Sequence, residues 1–232
     1  MQRLATRRKP RRQIVTPEIR SIGILGAGRV GTALARLALA AGYEVRVATA
    51  RPPHEIALLL EVMAPGAEPL SVEALIATSD IVILALPLSK YRELRPELFA
   101  GKIVIDAMNY WPPTDGTIED FERAASSSEI VQDHLAGARL VRAFNHMGYH
   151  EIEQEARPEG DPARRALAVA GNDADARAAV SGFIDRLGYD PIDAGPLMAS
   201  RNFGVGTTIF GAAFDRTEMA QLLASAHQRE AA

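Results

Sequence analysis

Six consecutive residues constrain this chain more than any others. Gly26-Ala27-Gly28-Arg29-Val30-Gly31 follows at once on a short β-rich run, residues 21–25 (SIGIL). Behind it, Val30, Leu34, Leu37, Ala38 and Ala41 recur at helical spacing until Gly42 stops the helix. The pattern G-x-G-x-x-G alone fits a bare strand-to-helix turn as well as a binding loop. Its place between strand and helix is what the chemistry of a dinucleotide needs. The first glycine permits the tight turn, the second lets backbone approach a pyrophosphate, and the third lets helix and strand pack closely. The helix start then offers free N–H groups to the phosphates. This spacing predicts a dinucleotide site.

The rest of the chain repeats the theme. Residues 44–48 (EVRVA) alternate with period two, and helical patterns follow near 54–63 and 72–78. A continuous apolar run at 81–86 (IVILAL) ends at Pro87, and 102–105 (KIVI) and 140–144 (LVRAF) are similar, with a polar helix predicted around 118–136. Unbroken apolar runs suit parallel strands buried on both faces. Strands spaced by helices imply right-handed βαβ units and a doubly wound parallel sheet, an α/β fold of Rossmann type. Residues 166–170, a helix over 173–187 and residues 191–194 either extend that sheet or build a small C-terminal α/β lobe. A last helix is predicted near 216–226. The expected division is a flexible basic arm over 1–18, a nucleotide-binding domain over 19–160, and a small lobe over 161–232 that completes the acceptor site.

Charge and composition narrow the function. Residues 1–20 hold seven basic residues against Glu18 alone, a net +6, so the remainder of this −3 chain carries −9. An acidic body is a poor partner for nucleic acid, whose affinity rests on neutralised phosphates. The chain has no cysteine, which removes disulfides, thiolate metal sites and a cysteine nucleophile. No apolar run approaches the ~18–20 residues that cross a bilayer. The basic head is not followed by an apolar stretch of the secretory kind. A cytoplasmic protein with no membrane partner is the expectation.

The end of the second strand chooses between dinucleotides. An NAD site usually has Asp or Glu there, accepting hydrogen bonds from the ribose. Here the residues are Val47-Ala48-Thr49-Ala50-Arg51, with no carboxylate before Glu55. Thr49 and Arg51 suit a 2′-phosphate, which favours NADP(H), and Arg29 either adds to this or stacks on the adenine. Solvent exposure alone would also account for Arg51.

No acid catalyst stands out. None of the five tyrosines has a lysine four residues on, which removes the short-chain dehydrogenase arrangement, and no lysine follows Lys102. His146 and His150 stand four apart beside Glu151, yet no third metal ligand accompanies them, and loop polarity explains them as well as metal binding does. His146 is also placed to protonate a substrate, just past a strand's carboxyl end. Ser89, Asn109 and Asn145 are similarly placed and equally suited to capping turns. Hydride exchange with a flavin-like ring needs little acid–base help, because the cofactors carry the chemistry.

The segments GAGRVGTALARLAL, DIVILALPLSKY, KIVIDAMNY, LVRAFNHMGYHE, VAGNDADARAAV and IDAGPLMASR resemble the NADP oxidoreductase, coenzyme F420-dependent family. The resemblance runs from Ser21 to about Arg201. It implies homodimeric NADPH-dependent reductases of the deazaflavin F420. It also implies roles by position: Gly26, Ala27, Gly28, Arg29, Val30 and Gly31 on the pyrophosphate, and Thr49 and Arg51 on the 2′-phosphate. Pro87, Leu88, Asn109, Ala143 and Asn145 would line the nicotinamide, and Leu197 would face the deazaflavin. The basic arm, Trp111-Pro112-Pro113 and residues 202–206 depart from the family pattern. The alternatives are a dinucleotide-binding module without turnover and a C=N reductase resembling pyrroline-5-carboxylate reductases.

Overall fold

The computed structural model describes residues 19–124 and 126–230. The predicted basic arm, residues 1–18, lies outside them. The chain begins as the glycine loop demands, with β1 (Ser21–Leu25), α1 (Arg29–Ala40), β2 (Glu44–Ala48), α2 (Pro53–Met63), β3 (Glu68–Pro69), α3 (Val72–Thr78) and β4 (Ile81–Leu84). Two 3-10 turns, Leu88–Glu93 and Pro96–Phe99, then lead to β5 (Ile103–Asp106). Short helices α4 (Pro112–Asp115), α5 (Glu119–Arg123) and α6 (Ser127–His134) precede β6 (Arg139–Arg142) and α7 (Glu151–Gln154). The chain closes with β7 (Ala166–Gly171), α8 (Ala174–Arg186), β8 (Asp190–Gly195), a 3-10 turn Leu197–Phe203 and α9 (Arg216–Glu230).

The eight strands of the described residues form one sheet in the order β3-β2-β1-β4-β5-β6-β7-β8. The first six are parallel, and their order is that of a Rossmann fold. Alternation along the strands builds the two faces. Ile22, Ile24, Ile81, Ile83, Ile105 and Val141 face one apolar layer, which α1 and α8 complete. Leu25, Val82, Leu84, Val104 and Leu140 face the other, with Leu75 of α3 and Val131 of α6. The doubly wound sheet is as the sequence predicts.

Three details differ from expectation. The predicted helix over 118–136 is broken into α5 and α6, because Ala124 is extended and Ser126 caps a new start through Ser128 N–H. Strand β4 ends at Leu84, leaving Ala85 and Leu86 to line a cleft. Most consequentially, β7 pairs antiparallel with β6, and β8 then runs parallel to β7. The region 161–232 therefore shares its sheet with the nucleotide-binding part.

Candidate functional site: a dinucleotide cleft and a buried polar chain

At the carboxyl ends of β1, β2 and β4 lies a cleft of about 740 Å³. A pocket of this size is ample for a cofactor. Gly26, Ala27, Gly28, Thr49, Arg51 and Pro87 all line it, so six residues singled out from the sequence converge there. Ile56, Leu59, Val72, Leu94 and Leu98 add an apolar wall.

The three glycines of the loop have different reasons to be glycine. Gly26 has φ +123°, and a Cβ there would sit 2.2 Å from the Ala85 carbonyl oxygen. A Cβ on Gly31 would lie 2.0 Å from the Gly26 oxygen and 3.4 Å from Ile24. Both are demanded by the turn itself. Gly28 is different: φ is −81°, and a Cβ would meet nothing within 4 Å. No protein atom requires glycine at position 28, whereas a phosphate laid against its backbone would. Gly28 also caps α1, where no side chain satisfies the helix start and the first turn holds no acid. The loop thus fits a pyrophosphate.

Charges in the cleft point the same way. Lys90 Nζ pairs with Glu93 at 2.7 Å, and the Arg95 guanidinium pairs with Glu73. The Glu73 carboxyl is held below its ordinary range, chiefly by its own backbone N–H and also by Arg95. Arg51 is exposed, and among the described residues its guanidinium has no partner, while its backbone N–H donates to Thr49 Oγ1 at 3.1 Å. With the other two cations neutralised, Arg51 is the uncompensated charge of the cleft. No carboxylate terminates β2, so the end of that strand suits a phosphate better than a bare ribose.

Arg29 lies elsewhere. Its Nη1 donates to the Tyr149 hydroxyl at 3.1 Å, and its guanidinium sits 5.1 Å from the centre of that ring. The side chain is thus engaged on Tyr149, and Arg29 is not among the residues that line the cleft. Val30 and Gly31 belong to the first turn of α1, and Leu88 and Leu197 turn into the apolar core, 0% and 1% exposed.

A second cleft, about 310 Å³, opens beside the ends of β5 and β6. Asn109, Tyr110, Ser126, Arg142, Ser200 and Val205 are among its walls. Behind it runs a continuous polar chain that the sequence reading did not foresee. Asp106 accepts from Ser128 Oγ at 2.7 Å and from Arg142 Nη1 at 2.8 Å. Arg142 Nη2 donates to Asn109 Oδ1 at 3.0 Å, and Asn109 Nδ2 donates to the Asn145 carbonyl at 2.7 Å. Asn145 Nδ2 in turn donates to the Phe203 carbonyl at 2.9 Å. Asn109 and Asn145 are therefore brought together, with their carboxamides fixed. Ala143 is fully buried beside them. Phe144, between Ala143 and Asn145, takes φ +63°, a left-handed conformation unusual for a bulky residue and common at functional sites.

His146 closes the chain and loses its suggested roles. Its Nε2 accepts from Ala168 N–H at 3.2 Å, so Nδ1 carries the proton, directed to Asn145 Oδ1 at 3.3 Å. Burial first, then the positive charges of Arg165 and Arg142, lower its pKa to about 3. A neutral imidazole committed on both nitrogens supplies neither a proton nor a metal bond. His150 is exposed, 3.6 Å from Glu151, and no cluster of three or more metal-ligating side chains occurs among the described residues. Ser89 N–H donates to Asp115 Oδ1 at 3.2 Å, a structural tie.

Residues 21–110 match the family described as NADP oxidoreductase, coenzyme F420-dependent. That family is the one the motifs resemble. The metalloreductase STEAP3 of Rattus norvegicus is 25% identical over 189 residues, which are 81% of this chain and 36% of that protein. This chain thus spans about a third of the length of that curated relative. A hypothetical protein, SMa0349, from Sinorhizobium meliloti superposes with a TM-score of 0.73 at 28% identity, covering 84% of this chain and 95% of that one. A provisionally assigned F420-dependent NADP-reductase from Arthrobacter sp. FB24 superposes at 0.69 and 24% identity, covering 86% of this chain and all of that one, and shares the fold. The match over residues 21–110 is to a family whose description names NADP as the cofactor, and the solved structures share the fold over most of the chain. No helix among the described residues is long and apolar enough to cross a membrane.

Proposed function

We propose that this chain is an NADP(H)-dependent oxidoreductase that moves a hydride between nicotinamide and the deazaflavin F420 or a similar ring acceptor. The observation that carries the proposal is the cleft joining an open Gly28 to an uncompensated Arg51, with no carboxylate at the end of β2. NADPH, when bound, supplies the hydride at nicotinamide C4, and the acceptor takes it at C5 with a proton from solvent. Gly28 and the first turn of α1 hold the pyrophosphate through backbone N–H groups. Arg51 and Thr49 receive the 2′-phosphate. Pro87 lines the cleft past β4, and the fixed carboxamide of Asn109 borders the neighbouring cleft.

His146 being neutral and committed agrees with a reaction that asks for alignment rather than proton transfer from protein. The segment 161–232 would complete the acceptor site through the 3-10 turn Leu197–Phe203, which packs beside Asn145. A homodimer is what the family resemblance implies.

The decisive experiment is anaerobic mixing of NADPH with F420, followed at the deazaflavin absorbance. Bleaching with a matching loss of NADPH supports the reading. If NADPH binds by calorimetry yet no bleaching occurs across a pH series, F420 is not the acceptor.

A further inference from the structure

The cleft holds one ion pair whose partners come from different walls. Glu73 stands in the first turn of α3, after β3, and Arg95 follows the 3-10 turn after β4. Both line the same cleft as Arg51. Both are half-exposed, Glu73 at 56% and Arg95 at 52% of the side chain, so neither is part of the core. An exposed pair of this kind contributes little to stability. Its interest is where the two charges lie.

We infer that the Glu73–Arg95 pair sets how strongly the cleft prefers the 2′-phosphorylated dinucleotide, with Arg95 as a second phosphate-facing cation that Glu73 restrains. The inference rests on the NADP(H) reading proposed above. Glu73 is a carboxylate within a cleft that is to receive a dianionic phosphate, and alone it would repel that phosphate. Arg95 cancels it. Removing Arg95 leaves Glu73 uncompensated, and its negative charge then opposes the phosphate. Removing the charge of Glu73 instead releases Arg95 to the phosphate. The two substitutions therefore act in opposite directions, which a purely structural pair would not do. A unit charge facing a dianion across a water-filled cleft changes Kd by about three- to fivefold. NADH lacks the 2′-phosphate and feels much less of this.

Calorimetric titration of wild type, Glu73→Gln and Arg95→Ala with NADPH and with NADH tests the inference without reference to any acceptor. Glu73→Gln is expected to tighten NADPH about threefold, and Arg95→Ala to weaken it about fivefold. NADH should change by less than about twofold in both variants. Both differences should shrink as salt rises. A wild type that prefers NADPH, with both variants weakened alike or both unchanged, overturns this inference alone. A wild type that binds NADPH no better than NADH overturns the NADP(H) reading and this inference with it.

Discussion

Arg142 of β6 donates to Asp106 of the neighbouring strand β5 at 2.8 Å, and the two side chains are 4% and 0% exposed. They stand opposite one another in the parallel register. The pair is thus built into the sheet, one step before the loops that carry Asn109 and Asn145. A buried ion pair is weak evidence of stability in itself, since desolvation offsets its attraction. Its geometry here serves another purpose: the second Arg142 amino group fixes the Asn109 carboxamide.

Breaking that pair from one side should be costly. Asp106→Ala leaves the Arg142 guanidinium buried without its counter-charge, and a loss of about 3–5 kcal/mol is expected in urea denaturation. Asp106→Ala combined with Arg142→Met removes both charges and should recover a large part of that loss. A single-variant cost below about 1 kcal/mol would show that solvent reaches the pair.

The loop glycines should separate folding from binding. Alanine is the better helix former by about 1 kcal/mol, so propensity alone would favour Gly31→Ala. The contact at 2.0 Å with the Gly26 oxygen overrides that gain, and this variant should lose stability with or without ligand. Gly28→Ala should melt within a few degrees of wild type, because its Cβ enters open space. Its dinucleotide affinity should nonetheless fall, and Gly28→Asp, which sets a carboxylate against the pyrophosphate, should abolish binding. Unchanged NADPH affinity in Gly28→Asp would remove the site.

Arg51 should read the phosphate and little else. A charge-assisted hydrogen bond is worth about 1.5–3 kcal/mol, so Arg51→Ala is expected to weaken NADPH by roughly 10- to 100-fold. NADH should lose less than about threefold. Equal losses for the two dinucleotides mean that Arg51 does not face the 2′-phosphate.

His146 should reveal itself through acid lability. Its pKa falls from 6.5 to about 3 on folding, so below pH 6.5 the unfolded chain takes up a proton that the folded chain refuses. Stability is unaffected by this group above pH 6.5 and falls by up to about 1.4 kcal/mol per pH unit on the way down to pH 3. Carboxylates such as Asp173, held at about 2 by Arg139 and the Ala176 N–H, add their own acid loss at lower pH. His146→Gln isolates the histidine: it costs stability at pH 7, and the gap from wild type should narrow by pH 4.5. Melting curves at the two pH values measure this, and a constant gap would mean that the imidazole is not buried neutral.

Much of the fold is readable in the sequence because hydrophobic periodicity is local. Residues 21–25 and 44–48 are strands with the bounds their patterns predict, and Thr49, Arg51 and Pro87 reach the same cleft because a doubly wound sheet gathers strand ends. What escapes is non-local. Asp106 and Arg142 are 36 residues apart, and each looks like a solvated terminus of an apolar run. The hydrogen bond from Asn109 to the Asn145 carbonyl is equally remote, although each residue is a candidate by its place after a strand. Glu73 and Arg95 read as ordinary surface charges until the β3 and β4 connections put them in one cleft. The split at Ala124 turns on one extended residue and a serine cap, a signal too short for periodicity to register. The contact of Arg29 with Tyr149, 120 positions away, is of the same non-local kind.

The reversed strand β7 has a consequence for how such a chain could be cut. Without it, β6 would be an edge strand presenting bare backbone groups to other chains. The same excision would strip His146 of the Ala168 amide and Asn145 of the Phe203 carbonyl. A fragment ending near residue 160 would therefore carry an intact glycine loop on a sheet prone to self-association. The nucleotide half is recognisable by itself in sequence, yet it is not a portable module.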